Sequence, residues 1–453
     1  MNYKETVDYL YQVTPCYQNQ GGDAYKPGLE RMQQMCEAIG NPQRYIRTIH
    51  VGGTNGKGST TSLIASVLTA AGYKVGLFTS PHLVDFRERI RINGEMISEE
   101  EVVSFVERTR PLIESVGPSF FEYTTLMAFE HFHTHEVDYA VIEVGLGGRL
   151  DSTNVIQPKL SIITNISLDH TQYLGNTLEA IAYEKAGIIK EGVHVVIGNA
   201  GGSVRELFEQ VAEERHAPIT FCEDEHTIKR YDELHPGMRL DTVDYGLLET
   251  PLSGDAQLEN AHTVLTALRI LDDKVLDTPL THEVVARGFA ELYKLSGLRG
   301  RWETISTNPH IVCDTAHNPA GIAVVAHQLE EATYDHLYII VGMSADKDID
   351  TNLALLPSSA RYYFCTTASQ RTLLAEELQQ RAEAIGLRGR AYPSVEEALR
   401  EVVALANAGD LIFVGGSNFI VAELLKSYPT IQKEAPSPSM RARRSTYIYA
   451  STN

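Results

Sequence analysis

A glycine-rich turn, Gly52-Gly-Thr-Asn-Gly-Lys-Gly-Ser-Thr60, sets the fold class before anything else in the chain does. It joins a β-branched run, residues 46–51, to a helix-period stretch, residues 59–71. A strand that feeds a helix through such a turn is the opening unit of a parallel α/β sheet. The pattern continues. Strands are expected at 74–79, 138–144, 160–165 and 194–197, with two helices within 98–135, the first opened by Ser98 with Glu101 as a capping box. This half reads as doubly wound. Residues 201–250 are more polar, carry no readable motif and are treated as peripheral to it.

The segment Leu295-Ser-Gly-Leu-Arg-Gly-Arg301 reads as a linker at Gly297 and Gly300, after which the alternation restarts with strands at 310–314, 336–341, 361–366 and 411–414. With 453 residues, one core is not expected, since cores stop growing at roughly 250 to 300 residues. The division expected is an N-terminal P-loop ATPase-type unit over 1–297, a smaller Rossmann-like α/β unit over 298–430, and a loose tail over 431–453 holding Arg441, Arg443 and Arg444.

Composition narrows the partners. A formal charge of −20 repels phosphate backbones and anionic lipid, so neither nucleic acid nor a membrane surface is an expected partner. No stretch approaches the ~18 apolar residues of a membrane span, and residues 1–20, with Lys4, Glu5 and Asp8, lack a signal-peptide core. Five cysteines, odd in number and without CxxC spacing, suit reduced thiols, so a cytoplasmic protein is expected. Oligomeric state is not legible; a monomer is the default.

The turn has specific physics. Glycines let backbone N–H groups close on phosphate oxygens, Lys57 adds a cation, and Ser59 or Thr60 lies where Mg²⁺ sits at a helix N-terminus. A glycine pair alone would be a mere turn; Gly56-Lys-Gly-Ser59 in this setting points to nucleotide binding, and Gly58 between Lys57 and Ser59 marks a departure from the commonest loop. The stretch Gly53-Thr-Asn-Gly-Lys-Gly-Ser-Thr60 resembles the P-loop of the Mur ligase superfamily. Thr79-Ser-Pro-His-Leu83, Glu143-Val-Gly-Leu-Gly-Gly-Arg-Leu-Asp151, Leu168-Asp-His-Thr-Gln-Tyr-Leu-Gly175 and Glu184-Lys-Ala-Gly-Ile-Ile-Lys190 resemble its folylpolyglutamate synthase/dihydrofolate synthase branch. Gly300-Arg301, Asp314-Thr-Ala-His-Asn-Pro319 and Gly342-Met-Ser-Ala-Asp-Lys-Asp348 extend the match over about residues 25 to 425. Thr315 stands where the branch usually has glycine.

The resemblance implies an ATP-dependent amide ligase of the acid–amino-acid class, joining L-glutamate to dihydropteroate, to folates or to both through an acyl phosphate. ATP contacts are implied at Thr54, Asn55, Gly56, Lys57, Gly58, Ser59, Thr60, Asn260, Arg301, Asp314 and His317. Two Mg²⁺ sites are implied, with Ser80 and Glu143 at the first, and Glu143, His170 and Lys185 as a carbamate at the second. Catalysis is then assigned to Lys57, Glu143, His170, Lys185, Arg301 and His317.

Each residue has a plainer reading. Glu143 ends an apolar strand, where a carboxylate often faces water; Ser80 before Pro81 is a common turn former; His170 suits an ordinary structural histidine; Lys185 could pair with Glu184. Asn260 opens a helix as a cap, and Arg301 is a hinge salt bridge. Substrate contacts are implied at His82, Phe121, Asp151, Lys347 and Ser417. Arg89 would flank the same loop, and Phe120, Phe121 and Tyr123 are otherwise core aromatics at a helix start. Two rivals stand beside this reading: another Mur-type amino-acid ligase, for which the roughly 50 residues before Gly52 are too few to hold a uridine-nucleotide unit, and a P-loop nucleotide switch.

Overall fold

The β-branched runs form strands because they can be buried on both faces, and in the structure, a computed structural model that describes residues 1–16, 26–234 and 237–434, the strands at the centre of each sheet are buried along nearly their whole length. The first sheet holds β1 (Thr48–Gly52), β2 (Val75–Phe78), β3 (Ile90–Ile92), β4 (Glu95–Met96), β5 (Tyr139–Glu143), β6 (Leu160–Asn165), β7 (Val195–Asn199) and β8 (Ile219–Phe221). Their spatial order is β4-β3-β2-β5-β1-β6-β7-β8, and every neighbouring pair is parallel except β2–β3 and β3–β4.

Helices cover both faces. On one, Lys57–Ala70 packs Leu63, Ile64, Val67 and Leu68 against the sheet and against Leu265 and Leu268 of the helix Asp255–Lys274. On the other, Phe120–Thr134 packs Phe129 and Phe132, with Phe105 and Val106 of Glu99–Val116 beside them. Each such fully buried side chain contributes about 1.5–3 kcal/mol relative to exposure. These two helices both start from capping boxes, Ser98 with Glu101 as expected and Ser119 with Glu122 in addition. Ser98→Ala removes the acceptor for the Glu101 N–H; denaturant titration is expected to read a loss of about 0.5–2 kcal/mol.

Residues 201–250 are more ordered than their polarity suggested. After the helix Gly202–Glu214 and β8 come β9 (Ile228–Glu233), β10 (Met238–Thr242) and β11 (Gly246–Thr250), an antiparallel sheet ordered β11-β10-β9. Met238, Leu240 and Leu248 point from it into the core around the helix Lys57–Ala70. One face is therefore buried, but alternation over strands this short is a weak signal.

The remaining strands are β12 (Glu303–Thr307), β13 (His310–Asp314), β14 (Leu337–Val341), β15 (Arg361–Cys365), β16 (Gly389–Tyr392) and β17 (Leu411–Gly415). They form a second sheet, β12-β13-β17-β14-β15-β16, parallel apart from β12–β13. Edge strands β12 and β16, short and partly polar, were not expected. The loose tail expected from residue 431 also needs correction, because the helix Asn418–Glu434 continues through 434; the remainder, including Pro436 to Asn453, lies outside the described residues.

Candidate active site

Open parallel sheets bind ligands beyond the carboxyl ends of their strands, where the connections diverge. In the first sheet Val51 is level with Glu143 and with Ile162, so the loops after β1, β5 and β6 leave side by side. In the second, Asp314 and Val341 are both level with Gly415, which brings together the loops after β13, β14 and β17. The two sets of loops face one cavity of about 580 Å³.

The phosphate loop lies on the end of β6. Asn165 accepts from the backbone N–H of Thr54 through its carbonyl and from that of Asn55 through its side chain, both at 2.9 Å, and Thr164 Oγ1 donates to the Asn55 carbonyl at 2.6 Å. Gly53 and Gly56 have φ of +135° and +82°, and a side chain would drive into Thr164 at the first and Asn260 at the second. Only glycine satisfies both demands. At Gly58, the departure from the commonest loop, a methyl would stand 3.5 Å from Arg301 Nη2 and 3.8 Å from Glu143 Oε1, ordinary van der Waals distances, so space alone does not demand glycine. The position marks where an arginine from beyond the linker and a carboxylate from β5 meet at the start of the helix.

Lys57 Nζ donates to the carbonyls of Gly53 and Thr54, at 3.1 and 3.0 Å. Burial lowers its pKa, against the pull of Glu143, Asp169 and Asp151. Burial also raises Glu143, which accepts from the Ser80 backbone N–H at 2.9 Å. Ser59 Oγ and Thr60 Oγ1 are buried without a hydrogen-bond partner. A buried hydroxyl with nothing to bond is costly unless a ligand completes it, and a Mg²⁺–phosphate at this helix start would do so. Lys185 Nζ donates to the Gly53 carbonyl at 2.7 Å, and burial brings its pKa down to about 7. His170 lines the same cavity, with burial taking it down to about 3.

Across the cavity, Asp314 is held by the N–H groups of Trp302 and Ala316, each at 2.7 Å, and burial raises it although Arg301 works against that. Arg301 Nη1 donates to the Gly300 carbonyl at 3.1 Å and to Thr315 Oγ1. Thr315, where glycine is usual, thus serves as an acceptor that orients the guanidinium. His317 Nδ1 lies 3.0 Å from the Thr315 carbonyl, and burial takes its pKa down to about 4. Ser417 is buried, caps the Ile420 N–H at 3.4 Å and borders the cavity.

Several expectations shift. Asn260 does not cap its helix; Gly254 does, and Asn260 stands inside it, buried, with Nδ2 on Gln257 Oε1 at 3.0 Å and its side chain against Gly56. His82 does not border the cavity. It accepts from Arg89 Nε at 2.7 Å and meets the Tyr11 hydroxyl at 3.1 Å, while Arg89 lines the wall and lies over the Phe120 ring at 5.3 Å. Of the three aromatics, Phe120 and Phe121 line the cavity, whereas Tyr123 is core and hydrogen-bonds Thr109. Asp151 lines it too, but its oxygens accept from Leu146 N and Thr153, so it holds the loop after β5. The five cysteines are buried and form no disulfide, and Cys16 borders the cavity.

Asp169 was missed, although it stands in one of the quoted motifs. Asp169 joins the two sheets, accepting from Lys347 Nζ at 2.8 Å and from Asn318 Nδ2 at 3.2 Å, while Asn318 also donates to Asn55 Oδ1 at 3.0 Å. Burial alone would raise Asp169, but His170, Lys347 and His317 around it hold it well below the carboxylate range.

Known proteins are similar to this chain in sequence and in fold. The Mur ligase middle domain matches residues 51–268, and the Mur ligase glutamate ligase domain matches residues 300–418. The dihydrofolate synthase/folylpolyglutamate synthase of Bacillus subtilis is 32% identical over 414 residues, spanning 88% of this chain and 95% of the relative. Escherichia coli FolC, solved in complex with DHPP and ADP, superposes with a TM-score of 0.81 at 30% identity, covering 95% of this chain and 99% of that one. A bifunctional folylpolyglutamate synthase/dihydrofolate synthase solved with Mn, AMPPNP and L-glutamate bound superposes with a TM-score of 0.78 at 29% identity, covering 94% and 98%. With matches of this length in sequence and in structure, the chain belongs to the folylpolyglutamate synthase/dihydrofolate synthase branch of the Mur ligase family.

Proposed function

We propose that the protein joins L-glutamate to dihydropteroate and to reduced folates at the expense of ATP, acting as a monomer, with residues 1–297 as the ATP-binding unit and 298–430 as the amino-acid unit. The observation that carries this reading is the meeting of the Lys57 loop and Glu143 from one sheet with Arg301, Asp314, His317, Lys347 and Ser417 from the other around a single cavity. A cavity walled by two sheets suits a reaction that must bring two anions together and then admit an amine.

The P-loop amides and Lys57 hold the ATP phosphates, with Thr54, Asn55 and Asn260 beside them. The acid's carboxylate oxygen attacks the γ-phosphorus and ADP leaves, giving an acyl phosphate. Lys57 and Arg301 offset the charge that develops, Arg301 from the opposite wall. The glutamate nitrogen then attacks the acyl carbon, and phosphate leaves with one of the former carboxylate oxygens while the nitrogen loses a proton. Asp314 and His317, fixed by backbone groups, position the nucleotide from the second sheet. Lys347 and Ser417 hold the amino acid, and Phe121 with Arg89 and Phe120 gives the pterin end an aromatic and cationic wall. Divalent metal, when bound, supplies charge neutralisation between the phosphates and the attacking carboxylate. Ser59, Thr60, Ser80 and Glu143 would hold one ion; Glu143, His170 and a carbamylated Lys185 would hold a second.

Carbamylation suits Lys185 because burial leaves much of its amine neutral near pH 7, the form that adds CO₂. The intact protein in bicarbonate is expected to carry the mass of one added CO₂, absent from Lys185→Arg. Linkage gives a second readout. Between about 7 and the ordinary lysine value of 10.5 the unfolded chain holds a proton that unmodified folded Lys185 does not, so this group makes stability rise with pH across that window. Lys185→Met should flatten the rise.

The functional test is ADP release by purified protein with dihydropteroate or tetrahydrofolate, with and without L-glutamate. Release that needs both the acid and glutamate is expected; release indifferent to glutamate would favour a nucleotide switch.

A further inference from the structure

We infer that Arg371 forms a second carboxylate subsite beside Lys347, so that the amino-acid pocket selects a dicarboxylic amino acid through two fixed cations. This rests on the reading of the second sheet as the amino-acid side. Glutamate differs from an uncharged amino acid by one carboxylate, and a pocket favours it over the analogue lacking it only if a largely buried cation gains more from that carboxylate than from the partner it already has. Lys347 alone would satisfy any amino acid's α-carboxylate.

Arg371 lies in the loop after β15 and borders the same cavity as Lys347, in the loop after β14. The two loops are sewn together: Ser344 pairs with Thr372 in an isolated antiparallel bridge, the Ala345 N–H donates to the Arg371 carbonyl at 2.8 Å, and the Leu373 N–H donates to the Met343 carbonyl at 2.9 Å. Backbone therefore fixes the two loops that carry Lys347 and Arg371 against one another. Both are largely withdrawn from water, the Arg371 side chain at 15% and Lys347 at 12% exposure, so solvent screens them little. Each already holds a carboxylate of the protein. Lys347 Nζ lies 2.8 Å from Asp169, and Arg371 Nη2 lies 2.6 Å from Asp346. These aspartates mark where carboxylates are stable beside the cavity. A planar guanidinium suits the terminal carboxylate of a side chain that must be read for shape as well as charge.

The full-length enzyme at saturating ATP and dihydropteroate provides the test, with KM and kcat measured for L-glutamate and for L-glutamine. Arg371→Ala is expected to raise KM for glutamate on the order of 30-fold or more, with kcat and KM for ATP within a few-fold, and to shrink the preference for glutamate over glutamine by the same factor. Arg371→Lys should restore part of it. Asp346→Asn breaks the ion pair but keeps the guanidinium, so KM for glutamate should stay level or fall. An unchanged KM in both Arg371 variants, or Asp346→Asn matching Arg371→Ala, would overturn the inference, the latter because Arg371 would then be only a prop for its loop. A wild-type enzyme without glutamate-dependent turnover would instead remove the ligase reading on which this rests.

Discussion

Replacing Lys57 by alanine is expected to lower acid- and glutamate-dependent ADP formation by about 10²–10³-fold, the cost of removing one preorganised charge or donor from a developing anion. The side chain is anchored on the Gly53 and Thr54 carbonyls of its own loop. Its ammonium therefore needs no search at the moment of reaction, and that is where most of its value lies. The loop itself stands on Asn165 and Thr164, neither of which needs Lys57, so the thermal midpoint should move little. Turnover within a few-fold of wild type would contradict the assignment; a collapsed midpoint would mean that Lys57 is structural instead.

Glu143→Gln should separate activity from stability in opposite directions. Burial raises the Glu143 carboxyl above its ordinary value, because the charged form is expensive there. The sign follows: between the unfolded and folded values the native state holds a proton that the unfolded chain does not, so this group makes stability fall as pH rises. At pH 7.5 and without metal, glutamine removes that cost while keeping an acceptor for the Ser80 N–H. The metal-free variant is expected to melt at or above the wild-type temperature. With Mg²⁺ and a non-hydrolysable nucleotide the order should reverse, because only the carboxylate gains from the cation, and ligation should fall by about 10²-fold or more. A variant that melts lower without metal and binds Mg²⁺–nucleotide normally would place Glu143 in the framework.

How far the site could be read from the chain depends on where its partners lie. The glycine turn with Lys57 was legible because loop, strand and helix are contiguous, and strands read from β-branched runs shift by only one or two residues, as with β1 at Thr48–Gly52 against 46–51. Strands β3, β4, β8 to β12 and β16 escaped because they are short and their burial depends on neighbours far along the chain. Asp169 shows the same limit in the site. Its partners Asn318 and Lys347 lie 149 and 178 positions away, and a lone acid before a histidine announces neither. His82 differs in another way. It sits in a recognisable motif, yet its ring meets Arg89 and Tyr11, and of the pair it is Arg89 that lines the cavity. The plainer reading of Asn260 as a helix cap fails, because Gly254 opens that helix and leaves Asn260 to press against Gly56.

The central claim is that phosphate passes to the acid before nitrogen displaces it. Its direct measurement uses dihydropteroate labelled with heavy oxygen in its carboxylate, turned over with ATP and L-glutamate, and mass analysis of the inorganic phosphate released. If the acid attacks the γ-phosphorus, each phosphate carries one labelled oxygen from the carboxylate and the amide product keeps the other. Unlabelled phosphate, formed at the same rate as product, would contradict the account.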